Sequence, residues 1–214
     1  MDTLTGVRFI LKPVVFLVAL LPALLVVGDA YGITGSLSAN PIEDIQDRFG
    51  NWGLRFMVIA LAVTPLRQLT GIVWVGRFRR MLGLFAFFYV ALHFLVWLVL
   101  DQQLFWPGIL EDIGLRPYVT IGFAAFVILL AMALTSTAGL RRRLGKRWQQ
   151  LHNGAYVAGI LGVWHYWWQV KADIREPLIY AVILTALLGF RLWKRRSKRA
   201  GRSHAAKNPS SAAA

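Results

Sequence analysis

With 214 residues, 57% of them hydrophobic and 16% charged, the chain is too apolar for one soluble core and too interrupted for a single membrane anchor. Its lack of cysteine excludes disulfides, iron–sulfur ligation, thiolate zinc sites and covalent c-type haem. The net charge of +14 is not read as a nucleic-acid footprint. The basic residues gather at the ends of apolar stretches, where topology and anionic lipid account for them.

Six apolar stretches approach the length of about 17 to 25 residues needed to cross a bilayer. The first, 10–27, has Arg8 and Lys12 at its start and precedes Gly28, Asp29 and Ala30. Its apolar run is long for a signal peptide and the cleavage pattern is poor, so it reads as a retained helix. The second, 52–69, is the weakest, because Arg55 and Pro65 flank a short apolar core. Both lie near its ends, where snorkelling and kinking are tolerated. The remaining stretches run over 82–100, 118–136, 152–170 and 177–193.

Most of the basic residues fall before the first stretch, after the second and fourth, and after the sixth, whereas the acids gather on the opposite side. The positive-inside bias then places both termini in the cytoplasm. The expected fold is an all-α integral membrane protein, a six-helix transmembrane bundle with N-in and C-in topology. Residues 1–193 form the transmembrane domain and 194–214 a basic, disordered cytoplasmic tail, in which His204 is expected to be inert. No loop exceeds about 25 residues, so none can hold a dehydrogenase domain of the usual hundred or more residues.

His93 and His165 lie deep in apolar stretches, and an imidazole in hydrocarbon is costly unless its ring nitrogens are occupied. Both stretches rise from the cytoplasmic side. At about 1.5 Å per residue, His93 stands roughly 18 Å up and His165 roughly 21 Å, nearly level. Two level imidazoles on different helices can clamp a porphyrin, making His93 and His165 candidate metal ligands. Alternatively, each is a core histidine bonded to a carbonyl or to a tyrosine such as Tyr89 or Tyr166.

His152 lies about 20 Å below His165, too far to share its iron. The 13-residue step between them turns about 220°, so the two face different ways unless the helix is bent. The positions on the third stretch level with His152 are Arg79 and Arg80, and arginine does not ligate iron but suits a phosphate or carboxylate. Arg79, Arg80, His152 and Trp148 therefore form a second candidate site, for a phosphate-bearing cofactor such as FMN or for haem propionates. A quinone headgroup on His152, or arginines that only set topology, remain open.

Three segments carry a resemblance: RRMLGLFAFFYVALHF at 79–94, LGKRWQQLHNGAYV at 144–157 and VTPLR at 63–67. They resemble the ferric-reductase-type transmembrane domain over roughly residues 10–193, and within it most the short haem-binding membrane subunits of bacterial periplasmic methionine sulfoxide reductase systems. The resemblance implies one b-type haem on His93 and His165. It also implies electrons taken from the quinone pool or a cytosolic flavin reductase and passed to MsrP, a periplasmic molybdopterin enzyme, for repair of oxidised periplasmic proteins. Larger relatives carry four histidines and two haems; the arginines at 79 and 80 favour flavin at the inner site here.

The chain is thus expected to be an electron-transfer subunit without chemistry on methionine sulfoxide itself, for which it has no redox-active thiol. Two alternatives stand beside this: a self-standing ferric or metal reductase of the same fold, and a non-redox small transporter or membrane anchor. A transporter would gain from matching halves, and Pro22 and Pro65 do not form such a pair.

Overall fold

The structure, a computed structural model, describes residues 3–170 and 173–207. After a turn at Thr3–Gly6, the helices are α1 (Val7–Ala30), α2 (Pro41–Thr70), α3 (Val73–Asp101), α4 (Trp106–Leu115), α5 (Pro117–Leu134), α6 (Ala138–Leu144), α7 (Lys146–His152), α8 (Gly154–Gln169) and α9 (Arg175–Lys207). There is no strand among the described residues.

Five helices are long and apolar enough to cross a membrane: α1, α2, α3, α5 and α9 over Arg175–Ser197. The expected fifth stretch is realised as α8, whose 16 residues span only about 24 Å at 1.5 Å per residue.

Helix α2 begins well before the apolar stretch read at 52–69. The Asn40 side chain accepts from the Glu43 backbone N–H, Pro41 occupies the first turn, and Glu43 and Asp44 favour the positive helix end. These signals extend the helix through polar residues and carry Gln46 and Gly50 into the bundle. At the other end of the chain, α9 runs on to Lys207, past the expected boundary at 193. Lysine, arginine and alanine are strong helix formers, so charge alone does not end the helix. The rest of the predicted tail, 208–214, lies outside the described residues.

The most extensive pairings are α2 with α3 and α5 with α8, two antiparallel couples that face each other. Small residues allow the approach: a Cβ added at Gly53 would stand 2.7 Å from a Val90 methyl carbon. Helix α1 packs one face against this core through Ala19, Ala23 and Val26, and polar contacts fix it at two further points. Pro22 removes one helical donor, and the fully buried Tyr89 hydroxyl enters the opened turn, accepting from Ala23 N–H at 3.2 Å and donating to the Ala19 carbonyl at 2.7 Å. Near the end of α1, Arg48 bridges Asp29 at 2.6 Å and Asp44 at 2.7 Å. Exposed leucines, valines and phenylalanines cover the outer face of α1, the surface that hydrocarbon would solvate.

Within the core, Arg191 of α9 donates to the Tyr156 hydroxyl and, at 2.7 Å, to the Leu61 carbonyl, tying α9 to α8 and α2. Its guanidinium also stacks over the Tyr156 ring.

Candidate functional site

The two helix couples enclose a cavity of about 370 Å³ toward the acidic end of the bundle. His93 from α3 and His165 from α8 both line it. His93 Nδ1 lies 2.8 Å from the Gln46 carbonyl oxygen on α2, and His165 Nδ1 lies 2.8 Å from the Tyr118 carbonyl oxygen on α5. A carbonyl only accepts, so each Nδ1 carries the proton and each Nε2 keeps its lone pair. Among the described residues neither Nε2 has a hydrogen-bond partner. The carbonyl bond expected for a plain core histidine is therefore present, but it occupies only one ring nitrogen. Neither tyrosine weighed as a partner takes the other: Tyr89 bonds α1, and Tyr166 donates to Glu176 at 2.6 Å.

The imidazole centres are 6.0 Å apart with their planes at 81°. A metal sits about 2.0–2.1 Å from an imidazole nitrogen, so two rings on one metal bring their centres to roughly 6 Å. Among the described residues no three histidine, aspartate or glutamate side chains form a metal cluster. Two imidazoles alone would leave a metal's coordination incomplete, so a metal held here would need further donors from a bound group. Apolar and aromatic walls suit a macrocycle: Phe94 stacks on Phe126 at 4.4 Å between centres, and both line the cavity.

Backbone without Cβ frames the same imidazoles. A Cβ on Gly50 would lie 3.0 Å from His93 Nδ1, and one on Gly122 would lie 2.8 Å from His165 Nδ1. The cradle and the free Nε2 atoms fit a bis-histidine haem.

A second cavity, of about 250 Å³, lies toward the basic end. Arg79, Arg80, Trp148 and His152 all line it, so all four residues expected at the second site come together. The face problem posed by the 13-residue step is resolved by a break at Asn153, which separates α7 from α8. Trp148 and His152 stack at 3.9 Å between ring centres, and Trp148 Nε1 donates to the Thr135 carbonyl at 3.0 Å, giving a flat, fixed aromatic face. Arg141 adds a third guanidinium to the lining. Met57 and Leu129 line both cavities, so one layer of side chains divides them.

Sequence reasoning missed Gln46, Gly50, Tyr118 and Gly122, because backbone carbonyls have no side-chain signature. A signal was nevertheless present in the spacing: each histidine finds its carbonyl 47 positions back, and the second set follows the first by 72 residues throughout (46 to 118, 50 to 122, 93 to 165). The bundle thus contains matching halves that the prolines did not reveal. They run in the same direction and meet at the histidine pair, rather than around a broken-helix transport site.

The profile of the family described as ferric reductase like transmembrane component matches residues 49–163, which include His93 and His152 and stop just short of His165. A protein of Xanthomonas euvesicatoria pv. vesicatoria, named protein-methionine-sulfoxide reductase heme-binding subunit MsrQ, is 54% identical over 168 residues, covering 78% of this chain and 77% of that protein. One of the same name from Ralstonia nicotianae is 49% identical over 182 residues, covering 84% and 83%. No solved structure matches the chain.

Proposed function

Since the chain belongs to the MsrQ branch of the ferric reductase-like transmembrane family, we propose that it is a b-type haem electron-transfer subunit of the inner membrane. The observation that carries this reading is the pair of imidazoles 6.0 Å apart, each with Nδ1 tied to a helix carbonyl and Nε2 left for iron. When bound, the haem supplies one-electron redox chemistry. The chain's own residues hold it, exclude water with aromatic walls and keep each imidazole in its Nδ1–H tautomer.

The proposed topology has six crossings with both termini inside: α7 and α8 together form the fifth, and the basic ends of α2, α3 and α9 face the cytoplasm. In that orientation the histidine pair sits toward the periplasm and the arginine cavity toward the cytoplasm. Electrons enter at the inner cavity, from the quinone pool or a cytosolic flavin reductase. They cross the Met57 and Leu129 layer and leave at the outer mouth to the periplasmic molybdopterin reductase MsrP, for repair of oxidised methionine in periplasmic proteins.

The inner cavity is assigned to FMN. Its phosphate would pair with Arg79 or Arg80, and the stacked Trp148 and His152 rings would give its ring system a flat face to lie on. A quinone headgroup, which has no phosphate, could accept from an arginine N–H through its carbonyls but would bring no charge to match the guanidinium. The experiment is the absorption spectrum of the purified chain with its extracted cofactors. A low-spin b-type Soret and alpha band with releasable FMN supports the assignment, whereas no haem bands would end the electron-transfer reading.

A further inference from the structure

We propose that Gly50 and Gly122 are positioning residues that set the orientation of the two axial imidazoles, and that they hold the ring planes crossed rather than parallel. This rests on the haem reading above. A helical carbonyl already accepts from the N–H four residues on and keeps a second lone pair, but a side chain on that later residue stands beside it. Gly50 follows Gln46 by four positions and Gly122 follows Tyr118 by four, so the missing Cβ lies where each ring must enter.

A Cβ at either position would crowd the ring, more severely at 122 than at 50. An alanine methyl at 50 would meet His93 Nδ1 at 3.0 Å and Cε1 at 3.2 Å; at 122 it would meet His165 Nδ1 at 2.8 Å and Cε1 at 2.9 Å. The ring is held between a carbonyl and iron and cannot retreat without giving up one of them. Helix propensity pushes the other way, since alanine is favoured over glycine in a helix interior. Glycine at both sites is thus explained by the ring and not by the helix.

The same cradle fixes the planes. Each ring must contain the direction from its Nδ1 to its own helix carbonyl, and the two carbonyls come from different helices. The result is the 81° angle between planes. In a low-spin ferric haem each imidazole interacts with one iron dπ orbital in its own direction. Crossed rings leave that orbital pair nearly degenerate, with a highly anisotropic EPR signal, and parallel rings split it, with a rhombic one.

The test uses the full chain in detergent, loaded with haem b, as wild type, Gly50→Ala and Gly122→Ala. Gly189→Ala, which lies outside the cavity and where a Cβ meets nothing within 4 Å, serves as the control. Wild type and the control should give the highly anisotropic signal. The two cradle variants should lose haem affinity by about tenfold or more, as other losses of support behind a ligand do, and shift the EPR signal and midpoint potential of what remains. A rhombic wild-type signal, or cradle variants with wild-type haem content, signal and potential, would overturn the proposal. Should one variant fail to fold, the wild-type signal and the other variant decide. A wild type that binds no haem would defeat the functional reading instead.

Discussion

The outer and inner cavities share one scaffold and differ in one residue type at matched positions. Stepping 72 residues from His93 leads to His165, a pair of imidazoles; the same step from Arg80 leads to His152, an arginine facing a histidine. The outer pair can bracket a metal from both sides, because both members keep a lone pair at Nε2. The inner pair cannot, because a guanidinium offers donors and no lone pair. Repetition of a fold thus supplies the geometry for a two-sided grip twice, and side-chain chemistry suits one grip to a metal and the other to an anion.

Two experiments break this contrast directly, and two sharpen it by testing the scaffold that both cavities share. The largest effect is expected from His93→Ala or His165→Ala: either alone should abolish the b-type absorption bands, since one imidazole leaves one axial position open. Replacing both Arg79 and Arg80 by alanine should lower FMN content about tenfold or more while leaving the haem spectrum unchanged, measured as flavin and haem per chain in the same preparation. Loss of both cofactors together would dissolve the distinction between the cavities. Tyr89→Phe removes the hydroxyl that completes the broken turn of α1, leaving the Ala19 carbonyl and Ala23 N–H without it. Thermal unfolding in detergent should show a loss of about 1–3 kcal/mol, with the haem bands retained. Arg48→Ala should have the smallest effect, below about 1 kcal/mol, because its pairs with Asp29 and Asp44 are partly open to solvent.

Much of this was legible in the sequence, for physical reasons that also explain what was not. The long apolar runs had to become helices, because hydrocarbon leaves backbone groups no other partner. His93 and His165 stood out because polar rings in such runs are costly, and their nearly equal depth followed from helical rise alone. Arg79, Arg80, Trp148 and His152 could be grouped by the same arithmetic, although the break at Asn153 that brings His152 round to the inner cavity was not visible. The polar start of α2 was hidden for another reason: counting apolar residues passes over a helix whose first turns stand on the Asn40 cap and on pairs such as Arg48 with Asp44. Gln46 and Tyr118 contribute only their carbonyls, and Gly50 and Gly122 only the lack of a side chain. Such contributions appear in sequence as spacing, and the spacing acquires meaning once the helices are placed side by side.

The most direct test of the central claim is the iron content of the purified chain compared with that of His165→Ala and His152→Ala. The account predicts one haem iron per polypeptide in wild type, none in His165→Ala and an unchanged value in His152→Ala. Two irons in wild type, or a loss caused by His152→Ala, would contradict it.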